Sequence, residues 1–124
     1  MGGILNLTQH IATPEQIAQG VYDCKDRDLL CKLLTFEDLP TQSLLESRAA
    51  AIAFGIAVEN EANTAMIGGA PFFMSELEYA LVNAGIKPVY AFSKRVSEET
   101  VDEDGNVTKV NAFKHIGFVE VGNV

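Results

Sequence analysis

The sequence predicts an α/β domain whose mostly parallel sheet is flanked by helices and ends in a C-terminal antiparallel hairpin. Short apolar segments alternate with amphipathic segments in the order strand, helix, strand, helix, helix, strand, helix, strand. The turn signal Asp104-Gly105-Asn106 lies between segments 96–101 and 107–113, as in a hairpin. The length of 124 residues fits one domain. Right-handed crossovers between the strands then give a single Rossmann-like domain over residues 1–124.

The N-terminal elements are marked by helix start and stop signals. Ile4–Leu7 is typical of a short strand. Thr13 and Gln16 form a capping box around Pro14, which predicts a helix that ends near Gly20. Segment 20–23 predicts a brief second strand, and leucines at helical spacing predict a helix over 26–34.

The middle of the chain contains a second predicted capping box. Ser43 and Glu46 predict the start of an amphipathic helix, which ends before the polar segment 59–63. Thr64–Ile67 is apolar throughout after its first residue, which favours a central strand buried on both faces.

The last predicted elements alternate around glycine and proline signals. Pro71 predicts a helix start, and Gly85 predicts its end. Pro88–Phe92 predicts a strand that ends in Ser93-Lys94-Arg95, and segment 116–121 predicts a final strand after the hairpin.

Charge and composition exclude several classes of function. The net charge of −8 argues against a surface for long nucleic acid, which needs clustered positive charge. Residues 80–124 hold six acidic and five basic side chains, so a local anion site there is consistent with the sequence. No apolar segment is long enough to cross a membrane, and the N-terminus lacks a signal peptide. The sequence therefore predicts a cytoplasmic protein with no membrane partner.

Metal and cofactor chemistry finds no support in the sequence. Cys24 and Cys31 match no zinc or thioredoxin-type spacing and are interpreted as reduced, partly buried thiols. His10 and His115 lack a metal-ligand partner at a standard spacing. We expect no metal and no cofactor.

Three polar clusters follow predicted strands, and ligands of open α/β sheets bind beyond the carboxyl ends of the strands. The clusters are Thr8-Gln9-His10, Gly68-Gly69-Ala70 and Ser93-Lys94-Arg95. The glycines expose amides beside a helix N-terminus, which suits a phosphate, although a tight turn without a ligand explains them too. Lys94 and Arg95 suit phosphate or carboxylate, or they pair with Glu98 and Glu99 at a solvated strand end.

Each histidine also has two interpretations. A general acid or base near neutral pH is one, and an ordinary surface or core residue is the other.

Segment 85–95, followed by Glu99, Asp104-Gly105 and Phe113-Lys114-His115, resembles the small ring-nuclease-like members of the CARF superfamily (CRISPR-associated Rossmann fold). The resemblance implies a homodimer that binds cyclic oligoadenylate across its two-fold axis and, in some members, cleaves it without metal. It implies that Ser93, Lys94 and His10 are catalytic. It implies ligand contacts from Thr8, Gln9, Gly68, Gly69, Ala70, Arg95 and His115.

Three functional hypotheses follow from the sequence. The first is a metal-independent ring nuclease for a cyclic oligonucleotide. The second is a domain of the same fold that binds the nucleotide without turnover, as a sensor or sequestering protein. The third is a nucleotide- or sugar-phosphate-binding domain with another role.

Overall fold

The computed structural model describes residues 3–122, which form ten elements in chain order. The bounds are β1 Ile4–Leu7, α1 Pro14–Ala18, β2 Val21–Asp23, α2 Arg27–Leu34, α3 Gln42–Ala50, a π-helical segment Ala51–Ala57, β3 Thr64–Ile67, α4 Pro71–Asn83, β4 Lys87–Val101 and β5 Val107–Glu120.

The five strands form one sheet in the order β2-β1-β3-β4-β5. β1 is parallel to both β2 and β3, β3 is parallel to β4, and β5 is antiparallel to β4. This confirms the predicted α/β class with a mostly parallel sheet, flanking helices and a C-terminal hairpin. The chain winds outward from β1 to β2 and then returns to place β3 on the other side of β1. The topological switch point therefore lies between β1 and β3.

The predicted boundaries of α1 and α4 are confirmed. The Gln16 amide donates to Thr13 Oγ1 at 3.2 Å, and the Thr13 amide donates to Gln16 Oε1 at 3.1 Å. Both halves of the capping box are thus formed. Gly85 follows α4 with φ +79°, a left-handed conformation that glycine adopts without steric cost.

The predicted capping box of Ser43 and Glu46 is wrong, because α3 begins earlier. Thr41 is the N-cap residue, and its Oγ1 accepts a hydrogen bond from the Leu44 amide at 3.1 Å. Thr41 has an extended backbone after Pro40 and the same capping chemistry as Ser43. The earlier cap lets Gln42 and Ser43 join the first turn.

Two predicted strand ends are also wrong. β4 does not end at Ser93 but continues to Val101, and segment 116–121 is not a separate strand but part of β5. Polar residues continue β4 because β5 hydrogen-bonds it along its whole length, and neither face of this part must be apolar. The register shifts once: Phe92 faces Gly117 and Ser93 faces His115, which leaves Ile116 as the extra residue of a β-bulge.

The two faces of the parallel sheet are covered unequally. On one face, Leu5 and Ile67 pack with the helices α2, α3 and α4, and Phe73 of α4 is fully buried there. On the other face, a small cluster contains Val21, Met66, Val89 and Ala12. In the part of the chain that the structure describes, the short helix α1 is the one helix near this second face, and it has no buried residue.

We call residues 93–101 and 107–115 the ribbon, because these parts of β4 and β5 pair only with each other. Nearly all ribbon side chains are exposed. At its tip, Asp102 Oδ1 accepts hydrogen bonds from the amides of Asp104 at 2.9 Å and Asn106 at 2.8 Å. These amide donors lower the pKa of the Asp102 carboxyl. Among residues 3–122, no helix has the length and hydropathy needed to cross a bilayer.

Candidate functional site

A cavity of about 550 Å³ opens where β1 and β3 end, and we call it the switch-point cleft. It lies where an open α/β sheet with this strand order places its ligand site. Its volume is within the usual range for small-molecule sites. Its lining residues come from the loop after β1, the start of α1, the end of β3 with its glycine turn, and the first third of β4: Thr8, Gln9, His10, Ile11, Thr13, Gln16, Met66, Ile67, Gly68, Gly69, Tyr90 and Ala91.

The loop after β1 is held by a buried asparagine. Asn6 is fully buried, and its Oδ1 accepts from the Thr8 amide at 3.0 Å and from Thr8 Oγ1 at 2.7 Å. Its Nδ2 donates to the His10 carbonyl at 2.7 Å and to Asp23 Oδ1 at 2.8 Å. One side chain therefore fixes both ends of the segment that forms one wall of the cleft.

Asp23 and Arg27 complete this network from β2 and α2. Asp23 Oδ1 also accepts from the Ala12 amide at 3.0 Å, and Arg27 Nη1 lies 3.8 Å from it. Arg27 Nη2 donates to the Gln9 carbonyl at 2.9 Å. The loop backbone from residue 8 to residue 12 is thus bonded at four points before any ligand binds, which is the arrangement that minimises ordering cost.

The opposite wall is the glycine turn between β3 and α4. Gly69 has φ +148°, a conformation that strains other residues, whereas a Cβ on Gly68 would lie 3.5 Å from Thr8 Cγ2 in ordinary contact. Ala70 is the N-cap of α4 and has no side chain to accept from the first-turn amides. Pro71 has no amide, and the Phe73 amide donates to the Ala70 carbonyl at 2.9 Å.

The cleft brings together five of the residues predicted from sequence. Thr8, Gln9, His10, Gly68 and Gly69 all line it. The Gln9 side chain, however, donates to Thr35 Oγ1 at 2.9 Å, away from the glycine turn. Ala70 lies next to the lining residues as the helix cap, without lining the cleft itself.

The other predicted site residues lie on the ribbon and do not line the cleft. Ser93 is two residues beyond the cleft residue Ala91, and the alternation of β4 places it on the same face of the sheet. Arg95 shares that face and lies over the Phe113 ring, 5.4 Å from its centroid. Lys94 points to the opposite face. The pair is therefore split between two faces of an exposed ribbon.

His115 joins the base of the ribbon to α1. Its Nε2 donates to Gln19 Oε1 at 2.9 Å, and its ring meets Phe118 edge-on with centroids 5.0 Å apart. The side-chain Nε2 of Gln19 also donates to the Ile116 carbonyl at 3.4 Å. This placement gives His115 a packing role beside the cleft.

The cleft offers neutral donors and few charges. None of its lining residues is Lys or Arg, and His10 is its one imidazole. The Tyr90 hydroxyl donates to Glu78 Oε2 at 2.6 Å, and burial together with this carboxylate raises the pKa of Tyr90 strongly. The phenol therefore stays neutral near pH 7. Within residues 3–122, no three His, Cys, Asp or Glu side chains are grouped as a metal site.

A second cavity, of about 480 Å³, surrounds Arg48 at the end of α2. Its guanidinium donates to the Thr35 carbonyl and lies over the Phe36 ring, 4.6 Å from the centroid. The Arg48 guanidinium thus already binds the backbone that follows α2 and packs against the loop there. This use makes the cavity a weaker candidate than the switch-point cleft.

Asn6 and Asp23 are the site residues that sequence reasoning missed. Asn6 is the one polar residue inside the apolar strand Ile4–Leu7, and Asp23 ends the next strand. A polar side chain within such a strand must be hydrogen-bonded where it is buried. That signal was available, but it does not say which residue supplies the partner.

The fold and the cleft define a small doubly wound α/β domain with a cavity of about 550 Å³ at its switch point. The chain belongs to the uncharacterized protein MJ1673 family, whose model matches residues 3–119. No curated protein and no solved structure matches it.

Proposed function

We propose that the protein binds a small ligand carrying a phosphate group, of the nucleotide class, in the switch-point cleft. The observation that supports this most directly is the position of the cleft between β1 and β3, with a fixed polar loop facing a glycine turn. Open α/β sheets with a switch point bind their ligands there. The prior bonding of residues 8–12 favours binding without large rearrangement.

The phosphate would lie between the glycine turn and the start of α4. Gly69 allows the backbone to approach a ligand closely, and α4 has 13 residues with no side-chain cap. The positive end of its dipole favours an anion at this point. Thr8 Oγ1 is on the facing wall, but its one proton is donated to Asn6 Oδ1, so the turn amides are the donors left for the phosphate. These donors carry no formal charge, so they suit one phosphate better than a triphosphate.

The rest of the cleft suits a partly apolar ring. Ile11, Met66 and Ala91 are apolar, whereas Thr13 and Gln16 add polar atoms from α1. Sites for nucleosides combine apolar walls with a few placed polar groups. A mononucleotide, or one nucleotide unit of a larger ligand, is the size that a cavity of about 550 Å³ accepts.

Cyclic oligoadenylate is the finer form of this proposal, and the CARF resemblance supports it. In ring cleavage, the ribose 2′-oxygen attacks the adjacent phosphorus and the 5′-oxygen leaves. His10 would take the 2′-hydroxyl proton, and the 5′-oxygen would take one from water, because Lys94 lies on the opposite face of β4. Ser93 and Arg95 would contact the phosphate. Since the ribbon residues do not line the cleft, this form requires the ligand to extend along β4 from Ala91.

Calorimetric titration tests the proposal with four probes: AMP, adenosine, cyclic tetra-adenylate and cyclic hexa-adenylate, all in EDTA. We expect AMP to bind more tightly than adenosine, because the phosphate contributes. We expect Gly69→Ala to weaken AMP about tenfold by displacing a turn amide that faces the phosphate, on the usual scale of a hydrogen bond to a charged group. No binding of any of the four probes would overturn the proposal.

The ring-nuclease form is tested by the double variant Lys94→Ala, Arg95→Ala. If a cyclic ligand reaches the ribbon, this variant loses affinity for the ring and keeps its affinity for AMP. Linear products formed in EDTA support cleavage, and His10→Ala should then abolish them. An intact ring with tight binding supports the domain without turnover.

A further inference from the structure

The outer edge of β4 has no strand partner over residues 92–101. The last paired position of β3 with β4 is Met66 with Val89, whereas the pairing with β5 continues on the other side to Val101. In residues 3–122 no other strand borders β4. Every second residue of this edge therefore directs its amide and carbonyl away from β5.

A two-stranded ribbon gains little stability by itself. Isolated hairpins are marginal in water, and at least three strands or a packed face are needed for independent stability. Here Val101, Val107 and Phe113 are each more than half exposed. A further strand along the β4 edge would supply the missing main-chain partners.

The charges along this edge are complementary to those of a second, antiparallel copy of the same edge. Lys94 and Arg95 precede the centre of the segment, and Glu98 and Glu99 follow it. Val96 and Ser97 lie between the two pairs. When such a strand meets its own copy in antiparallel orientation, the basic half of each faces the acidic half of the other.

We propose that β4 residues 92–101 pair with the same residues of a second copy of this chain, by strand addition about a two-fold axis. The axis is normal to the sheet, so residues that face each other across it lie on the same face of the sheet. Two registers then bring a basic residue opposite an acidic residue of the partner. With Val96 facing the partner's Val96, Lys94 faces the partner's Glu98. With Ser97 facing the partner's Ser97, Arg95 faces the partner's Glu99.

The outer edge of β5 does not offer this match. It carries Lys109 and Lys114 on either side of its centre and no acidic residue between Val107 and Val119. Antiparallel self-pairing there brings no opposite charges together, and lysines on an exposed strand are one way in which natural sheets protect an edge. The charge pattern thus selects the β4 edge for the second copy.

This dimer places the two clefts far apart. Val101 lies ten residues beyond the cleft residue Ala91. In the Val96-centred register the two copies of Ala91 are about 33 Å apart along the strand, at the usual rise per residue. Each cleft then binds its own ligand, and one small ring does not span the two-fold axis. The interface is thus a different one from the two-fold pocket that the resemblance implies.

Charge exchange tests the interface by analytical ultracentrifugation at micromolar protein. We expect the native chain to be a dimer. The variants Lys94→Glu, Arg95→Glu and, separately, Glu98→Lys, Glu99→Lys should each raise the dimer dissociation constant at least about tenfold, because like charges then face each other. An equimolar mixture of the two variants should restore a heterodimer.

The matched control is Lys25→Glu, Lys32→Glu, which makes the same charge change at exposed lysines outside the ribbon. It should leave the dissociation constant within about threefold of the native value, since neither lysine borders β4. Circular dichroism checks that each variant is folded, and recovery in the mixture shows that neither fails for lack of folding. A monomeric native chain, or a dimer unaffected by either exchange, would overturn the proposal.

Discussion

β4 passes through two regions that differ in what surrounds it. Val89 is paired on both sides, with Met66 of β3 and Glu120 of β5, and Pro88 and Val89 are buried. Residues 93–101 keep the same extended backbone but lose β3 and nearly all burial. We call the buried part of the sheet, with its flanking helices, the body. In the body, packing and satisfied polar groups hold the strand. In the ribbon, pairing with β5 is the main interaction, so the same substitution should have very different effects in the two regions.

The largest difference is expected for phenylalanine. Phe73→Ala should lower the free energy of unfolding by about 3–5 kcal/mol, because Phe73 is fully buried and its removal leaves a cavity. Phe113→Ala should cost less than about 1 kcal/mol, since that ring is 69% exposed and meets chiefly Arg95. Urea denaturation measures both. Equal losses would mean that the ribbon has packing which the monomer lacks.

Asparagine gives the second contrast. Asn6→Leu keeps the branched shape but leaves Asp23 and Thr8 without their buried partner, so we expect a loss of about 3 kcal/mol. Asn111→Leu makes the same change on the exposed ribbon and should stay within about 0.5 kcal/mol. The Asn6 variant should also weaken AMP binding by loosening residues 8–12. Unchanged stability of Asn6→Leu would show that the network is dispensable.

The two glycines of the turn sharpen the comparison within the body. Gly69→Ala should lower the free energy of unfolding by about 1–2 kcal/mol, because φ +148° strains a side chain. Gly68→Ala should be close to neutral for stability, since its Cβ meets Thr8 at 3.5 Å. Thermal unfolding of the two variants distinguishes the effect of backbone strain at Gly69 from the effect of an added Cβ at Gly68. A neutral Gly69→Ala would mean that the turn relaxes easily.

Tyr90 should give the smallest change, together with a pH dependence. Tyr90→Phe removes the hydrogen bond to Glu78 and should cost about 1 kcal/mol near pH 7. Because folding raises the pKa of Tyr90, the phenol ionises at a lower pH in the unfolded chain than in the folded chain. Stability from this group is complete below about pH 10, the ordinary tyrosine pKa, and is lost as pH rises above it. Urea titrations between neutral and alkaline pH should show a shallower decline for the variant.

The fold class was predictable because its signals are local. The capping box of Thr13, the helix stop at Gly85 and the turn at Asp104-Gly105 each act within a few residues. The length of β4 was not, because the cluster Ser93-Lys94-Arg95 looks like a strand end until β5 pairs with it. Tertiary pairing overrides the local propensity there.

The candidate site was predictable in its position more than in its members. Sequence order places Thr8 and Gly68 after neighbouring parallel strands, and the cleft unites them. The support from Asp23 to Asn6 spans 17 residues and depends on β1 and β2 being adjacent, which no local pattern states. The complementary charges of residues 94–99 were visible too, but they gained meaning only on a strand edge.

The place of β1 in the middle of the sheet has a consequence for the order in which the chain folds. β1 pairs with β2, which follows it closely in sequence, and with β3, which lies much further along the chain. Ile4 of β1 pairs with Thr64 of β3. Closing that long loop is slow compared with forming a hairpin between successive strands. During synthesis, one edge of β1 stays unpaired until β3 has emerged as far as residue 67, whereas β5 can pair with β4 as soon as it emerges. Rate measurements should therefore be sensitive to changes in β1 and β3 and nearly insensitive to changes in the hairpin turn.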